Sequence, residues 1–138
     1  MSDSRTPILD RYDIIRQIGE GSFSKVYLAK SKTCEKEVAV KVIEKKDLDN
    51  EEALYVRNEV CILKKMQHLN VVKMIDFQET TKRYFIVLEI MKGGDLFTRI
   101  MEKDEFTEKE AADIIKPLVN AIHYCHSLGI IHRDLKVI

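Results

Sequence analysis

Four groups of residues in this 138-residue chain have types and spacing that suit chemistry on a phosphate. The first is Gly19-Glu20-Gly21-Ser22-Phe23-Ser24-Lys25-Val26. Glycine lets a backbone turn tightly and come close to phosphate oxygens, which loop N–H groups can bind. A simple hairpin turn is the other reading of the same residues. The second group is Val38-Ala39-Val40-Lys41. Side chains alternate across a strand, so Lys41 shares a face with Ala39 and Ile43. A desolvated ammonium there needs an anion, unless the side chain snorkels to water. Glu59 is the candidate anion. On a helix it shares a face with Val56, Leu63 and Met66 and lies away from Lys64 and Lys65, so it is expected to point inward. Paired, the two would aim Lys41 at phosphates under the glycine loop; unpaired, they are two partly exposed charges. The fourth group is His132-Arg133-Asp134-Leu135-Lys136. A loop aspartate can accept a proton from a hydroxyl nucleophile, and a nearby lysine can neutralise charge on a phosphoryl group in transfer. Taken alone, these five residues also read as a solvated end.

The elements that must position these groups follow from periodicity. Short apolar segments predict strands at about 12–19, 24–30 and 36–43. The glycine loop therefore joins two strands, which argues against a dinucleotide fold, where it joins strand to helix. Asn50, followed by Glu51 and Glu52, predicts a helix start, with the helix running to about Met66. Runs at 71–77 and 84–91 predict two more strands around the Glu79–Arg83 turn. After Gly93-Gly94 the pattern turns helical, with a short helix at 96–101 and a long one at 108–128. Thr107 and Glu110 have capping-box spacing. The expected apolar stripe of the long helix is Ala111, Ile114, Ile115, Leu118, Ile122 and Cys125. Pro117 within it predicts a kink.

Composition sets the outer limits. Lys+Arg 23 against Asp+Glu 23 leaves no basic excess, which argues against binding nucleic acid or anionic membrane by bulk charge. With 45% hydrophobic and 33% charged residues, the chain can build a core and is not expected to be disordered. Length alone gives one domain of ordinary size. Residues 1–15 fit no signal-peptide core, and no uncharged stretch is long enough to cross a bilayer. Cys34, Cys61 and Cys125 are far apart and read as reduced thiols in a cytoplasmic or nuclear protein. A zinc site at His123, Cys125 and His126 is not expected, because Cys125 belongs to the apolar stripe and no second ligand pair lies nearby.

In this order, the four groups resemble the protein kinase superfamily over about residues 12–136. The resemblance implies an α+β fold. Residues 12–91 would form an N-lobe and hinge, a five-stranded antiparallel sheet plus one large helix. Residues 92–138 would begin a helical C-lobe, truncated here, and residues 1–11 would be a tail. It implies that Ile18 through Val26 cover ATP, that Lys41 holds the α- and β-phosphates, and that Glu59 orients Lys41. Val26 and Ala39 would sandwich the adenine, Leu88 would control the pocket behind it, and Glu89 and Met91 would lie in the adenine-binding link. Asp95 matches an acid that meets the ribose or a basic substrate residue. Asp134 matches the catalytic base, and Lys136, two residues on, looks like the serine/threonine class. Gly93-Gly94-Asp95-Leu96-Phe97 is similar to the calcium/calmodulin-dependent kinase group.

The sequence departs from the family at two places. Ser24 replaces the third loop glycine, and Val137-Ile138 stand where Pro-Glu is usual. The metal-binding Asn of the family pattern would fall just past Ile138, so Mg²⁺ is expected only for a complete domain and no metal ligand is assigned within the chain. Two functions follow: the N-terminal portion of an ATP-dependent Ser/Thr kinase acting on protein substrates, or an inactive, truncated product that binds or competes. The long helix is the expected contact surface of the second.

Overall fold

The computed structural model describes residues 7–103 and 105–136. Residues 1–6, Asp104, and the expected Pro-Glu position at 137–138 lie outside the described residues. The chain divides into two compact units, Met1–Lys65 with Lys73–Ile90, and Met66–Val72 with Met91–Ile138.

The first unit is a five-stranded antiparallel sheet with the order β1-β2-β3-β5-β4. A short helix α1 (Pro7–Arg11) leads into β1 (Tyr12–Glu20), followed by β2 (Ser24–Ser31) and β3 (Glu37–Glu44). A 3-10 turn (Lys45–Asp47) then delivers helix α2 (Asn50–Lys65), and β4 (Met74–Glu79) and β5 (Arg83–Glu89) complete the sheet. The central strands β3 and β5 are apolar on both faces because both faces are covered. On one face Ile8, Tyr12, Ala29, Val38, Val40, Phe85 and Val87 form a core. On the other, Ile43, Tyr84 and Ile86 pack against Val56 and Val60 of α2.

Three sequence expectations are corrected here. Residues 7–11 are not tail: they form α1, and Ile8, 1% exposed, plugs the first core. The cap of α2 is Asp49 and not Asn50. Asp49 Oδ1 accepts from Glu52 N at 2.8 Å and Glu52 Oε2 accepts from Asp49 N at 2.8 Å, a reciprocal box that an amide at 50 cannot make. Strand β4 starts at Met74, because residues 66–72 belong to the second unit.

The second unit holds α3 (Leu96–Met101) and α4 (Glu108–Ser127). Helix α4 opens on the expected box, with Thr107 and Glu110 each satisfying the other's free backbone N–H. It runs unbroken through Pro117. The missing N–H there leaves the carbonyl of Asp113 without its usual helical donor. Its buried residues are Ala121 and Cys125, with Ile114 and Ile122 half-buried. Ala111, Ile115 and Leu118, expected in the stripe, are exposed.

Candidate functional site

The glycine loop is the β1–β2 hairpin. Glu20 pairs with Lys25, and Gly21 N donates to Ser24 O at 2.7 Å to close the turn. Neither Gly19 nor Gly21 uses the left-handed region. Gly21 matters for thickness instead: a Cβ there would come within 2.9 Å of Ser24 Oγ, and the hydroxyl would have to move. Ser22 and Phe23 are exposed at the tip. Ile18 falls in a bulge between the Gln17–Tyr27 and Gly19–Val26 pairs, where an extra residue re-aims the strand.

Register places the other residues. Val26, Lys41 and Ile86 pair across β2, β3 and β5, and Leu28, Ala39 and Leu88 form the neighbouring row on the same face. Rows on one face are two residues apart, about 7 Å. Val26, Ala39 and Leu88 therefore make an apolar strip beside Lys41.

Lys41 is 27% exposed at its side chain, and its Nζ lies 3.6 Å from Glu59 Oε1. That is an ion pair but too long for a hydrogen bond, so the ammonium keeps donors available for a ligand. Glu59 does not point inward as expected. Its side chain is 49% exposed, because Val56 and Val60 occupy the inward face and Glu59 stands on the flank of that seam. A cavity of about 270 Å³ lies beneath the hairpin, bounded by Phe23, Ser24, Lys41, Ile43, Tyr55 and Glu59. Pockets that bury a drug-sized ligand usually measure about 300–1,000 Å³. The space suits phosphate groups better than a complete nucleotide.

Two assigned residues have local duties that spacing did not show. Glu89 Oε1 accepts from Lys73 N at 2.7 Å, tying the end of β5 to the approach to β4. Asp95 caps α3, its Oδ1 accepting from Thr98 N at 2.7 Å, and that bond holds its carboxyl below the usual value. Met91 is exposed and lies in the second unit.

The second unit carries the remaining group. Asp134 Oδ2 and Lys136 Nζ are 3.2 Å apart and largely exposed. Asp134 N donates to His132 Nδ1 at 3.3 Å. Between them Arg133 has φ 67°, a left-handed backbone that costs a non-glycine residue about 1–3 kcal/mol. This bend brings the Asp134 backbone N–H back onto the His132 ring. Cys125 is buried while His123 and His126 are exposed, so the three do not converge. Among the described residues no three His, Cys, Asp or Glu side chains come together as a group that could hold a metal ion.

Residues 12–137 match one family description, protein kinase domain. The chain belongs to that family. Over 125 residues it is 42% identical to calcium/calmodulin-dependent protein kinase type 1B of Rattus norvegicus, covering 91% of this chain and 36% of that protein. A probable myosin light chain kinase of Dictyostelium discoideum is 45% identical over 130 residues, covering 94% of this chain and 40% of the relative. CBL-interacting protein kinase 26 of Oryza sativa subsp. japonica is 38% identical over 137 residues, covering 99% and 28%. The chain thus spans between 28% and 40% of the length of these relatives.

Proposed function

We propose that this chain is the ATP-binding portion of a Ser/Thr protein kinase, which transfers the γ-phosphate of ATP to protein hydroxyls. The observation that carries the reading is the Lys41–Glu59 pair, 3.6 Å apart at the cavity under the Gly21–Ser24 hairpin. Lys41 holds the α- and β-phosphates, with the hairpin N–H groups above them. Glu59 keeps the lysine extended toward the cavity. The purine lies on the strip of Val26, Ala39 and Leu88. Asp134 takes the proton of the attacking hydroxyl, and Lys136 offsets charge on the group in flight. Lys136, two residues past Asp134, supports Ser/Thr over Tyr as the acceptor. Three free cysteines suit a reducing compartment, and the cytoplasm is the proposed location.

A second reading draws on the exposed Ile115, Leu118 and Val119 of α4: a chain that binds nucleotide without turnover and competes for protein partners. Two measurements separate them. Lys41→Met should weaken ATP binding by this chain, and should lower phosphoryl transfer by the longer protein on the order of 10²–10³-fold. Binding lost with no transfer by any longer form supports the second reading. Binding unchanged by Lys41→Met overturns both.

A further inference from the structure

Helix α2 carries Glu59, so whatever fixes the rotation of α2 about its own axis decides where Glu59 points. Val56 and Val60 are its buried residues and pack on Ile43, Tyr84 and Ile86. At about 100° per residue, Glu59 falls on one side of that seam and Arg57 on the other. On the Glu59 side the partner is Lys41 of β3, at 3.6 Å. On the Arg57 side it is Glu79, the last residue of β4, whose Oε1 accepts from Arg57 Nη2 at 3.0 Å.

The same oxygen accepts from Lys45 Nζ at 2.6 Å. Lys45 opens the 3-10 turn between β3 and α2, and lies over the Tyr84 ring, 4.6 Å from its centre. One carboxylate therefore ties both the helix and the connection that delivers it to the end of β4. The bond to Lys45, and with it the bond to Arg57, holds the Glu79 carboxyl below the usual range.

We propose that Arg57 and Glu79 are positioning residues for the Lys41–Glu59 pair, locking the roll of α2 about its valine seam. A roll in either direction stretches one ion pair and drives the other against the sheet. Removing Arg57 or Glu79 takes away one of two stops, and the Lys41–Glu59 separation is no longer held at a single value. The functional consequence rests on the reading of Lys41 as a phosphate ligand; the geometry does not.

The test uses the 138-residue chain with two readouts, the Lys41 Cε–H NMR signal and the affinity for ATP. Arg57→Met and Glu79→Gln should move the Lys41 signal toward its position in Glu59→Gln, while Arg57→Lys should leave it near the parent. ATP affinity should fall about three- to fivefold in Arg57→Met, the range of a surface ion pair. Combining Arg57→Met with Glu59→Gln should add no further loss. The proposal is overturned if Arg57→Met leaves the Lys41 signal in place while Glu59→Gln moves it, or if the two losses add in full. Lys41→Met with unchanged ATP affinity would overturn the phosphate reading alone, and the NMR signal would then decide the lock by itself. Arg57 is 59% exposed at its side chain, so its variants carry the test even where Glu79→Gln does not fold.

Discussion

The hydroxyl of Tyr124 accepts a hydrogen bond from the backbone N–H of Gln67 at 2.8 Å, across 57 residues of sequence. The His68 ring stacks on the same tyrosine, with 5.0 Å between ring centres. These contacts explain why residues 66–72 leave the sheet and join the helices of the second unit.

Tyr124→Phe keeps the stacked ring and removes the acceptor. The net loss of such a bond is about 0.5–1.5 kcal/mol. The Gln67 amide should then exchange with solvent roughly two- to tenfold faster, read by hydrogen-exchange NMR. An unchanged rate would mean that water serves the amide as well as the phenol does.

Ile8 is 1% exposed and its neighbour Leu9 is 49% exposed, so the two form a matched pair. Ile8→Ala should destabilise the first unit by about 2–4 kcal/mol through lost transfer energy and a residual cavity. Leu9→Ala should cost less than about 0.5–1 kcal/mol. Urea midpoints by circular dichroism compare them directly, and equal effects would refute the plug.

The acid limb of stability should be visible at Glu110. Its bond to Lys103, then to the Thr107 backbone and hydroxyl, lowers its carboxyl from 4.5 to about 2. A carboxylate depressed in the folded state contributes fully above its ordinary value and loses that contribution as pH falls through the folded one. Helix α4 should therefore lose capping between 4.5 and about 2 and be insensitive to this group above that window. Direct titration of the Glu110 carboxyl by NMR checks the shift, and Glu110→Gln should remove this portion of the pH dependence.

Helix α3 has only six residues and buries none of them. Limited proteolysis should cut first between Gly93 and Thr107, with mass spectrometry identifying the fragments. A first cut within β2, β3 or β5 would contradict this, since those strands supply much of the buried core.

Much of this fold is legible in the residues themselves. The strands announce their alternation, the glycine hairpin falls between two of them, and the Thr107–Glu110 spacing marks the start of α4. Lys41 is legible as well, because register alone puts it beside Ala39 and Ile43. The flank position of Glu59 is not. A helical wheel yields faces, but the sheet decides which face is inward, and it selects Val56 and Val60. Helix α1 is too short for periodicity, and its placement depends on a pocket made by distant strands. Residues 71–72 read as strand from composition, but they fall with residues 66–70 in the second unit, where Gln67 and His68 meet Tyr124. The Asp49 cap had a signal that could have found it, an acid followed three residues later by Glu52. The Arg57–Glu79 pair had none, since nothing in the spacing of two exposed charges says that they meet.

The strand order has a consequence for how the molecule comes into being. β1, β2 and β3 form a meander of local hairpins, and β4 with β5 forms another hairpin. Only the β3–β5 seam joins partners separated by all of α2 and β4, and such non-local pairing is the kinetically slow kind. Lys41 sits on that seam, opposite Ile86. A nascent chain with every hairpin formed would still lack the lysine's final setting, because Lys41 meets Ile86 only when β3 and β5 pair. The same layout puts the stretch after α2 between two sets of hairpins, which meet along the β3–β5 edge and through the packing of Val56 and Val60 on Tyr84 and Ile86.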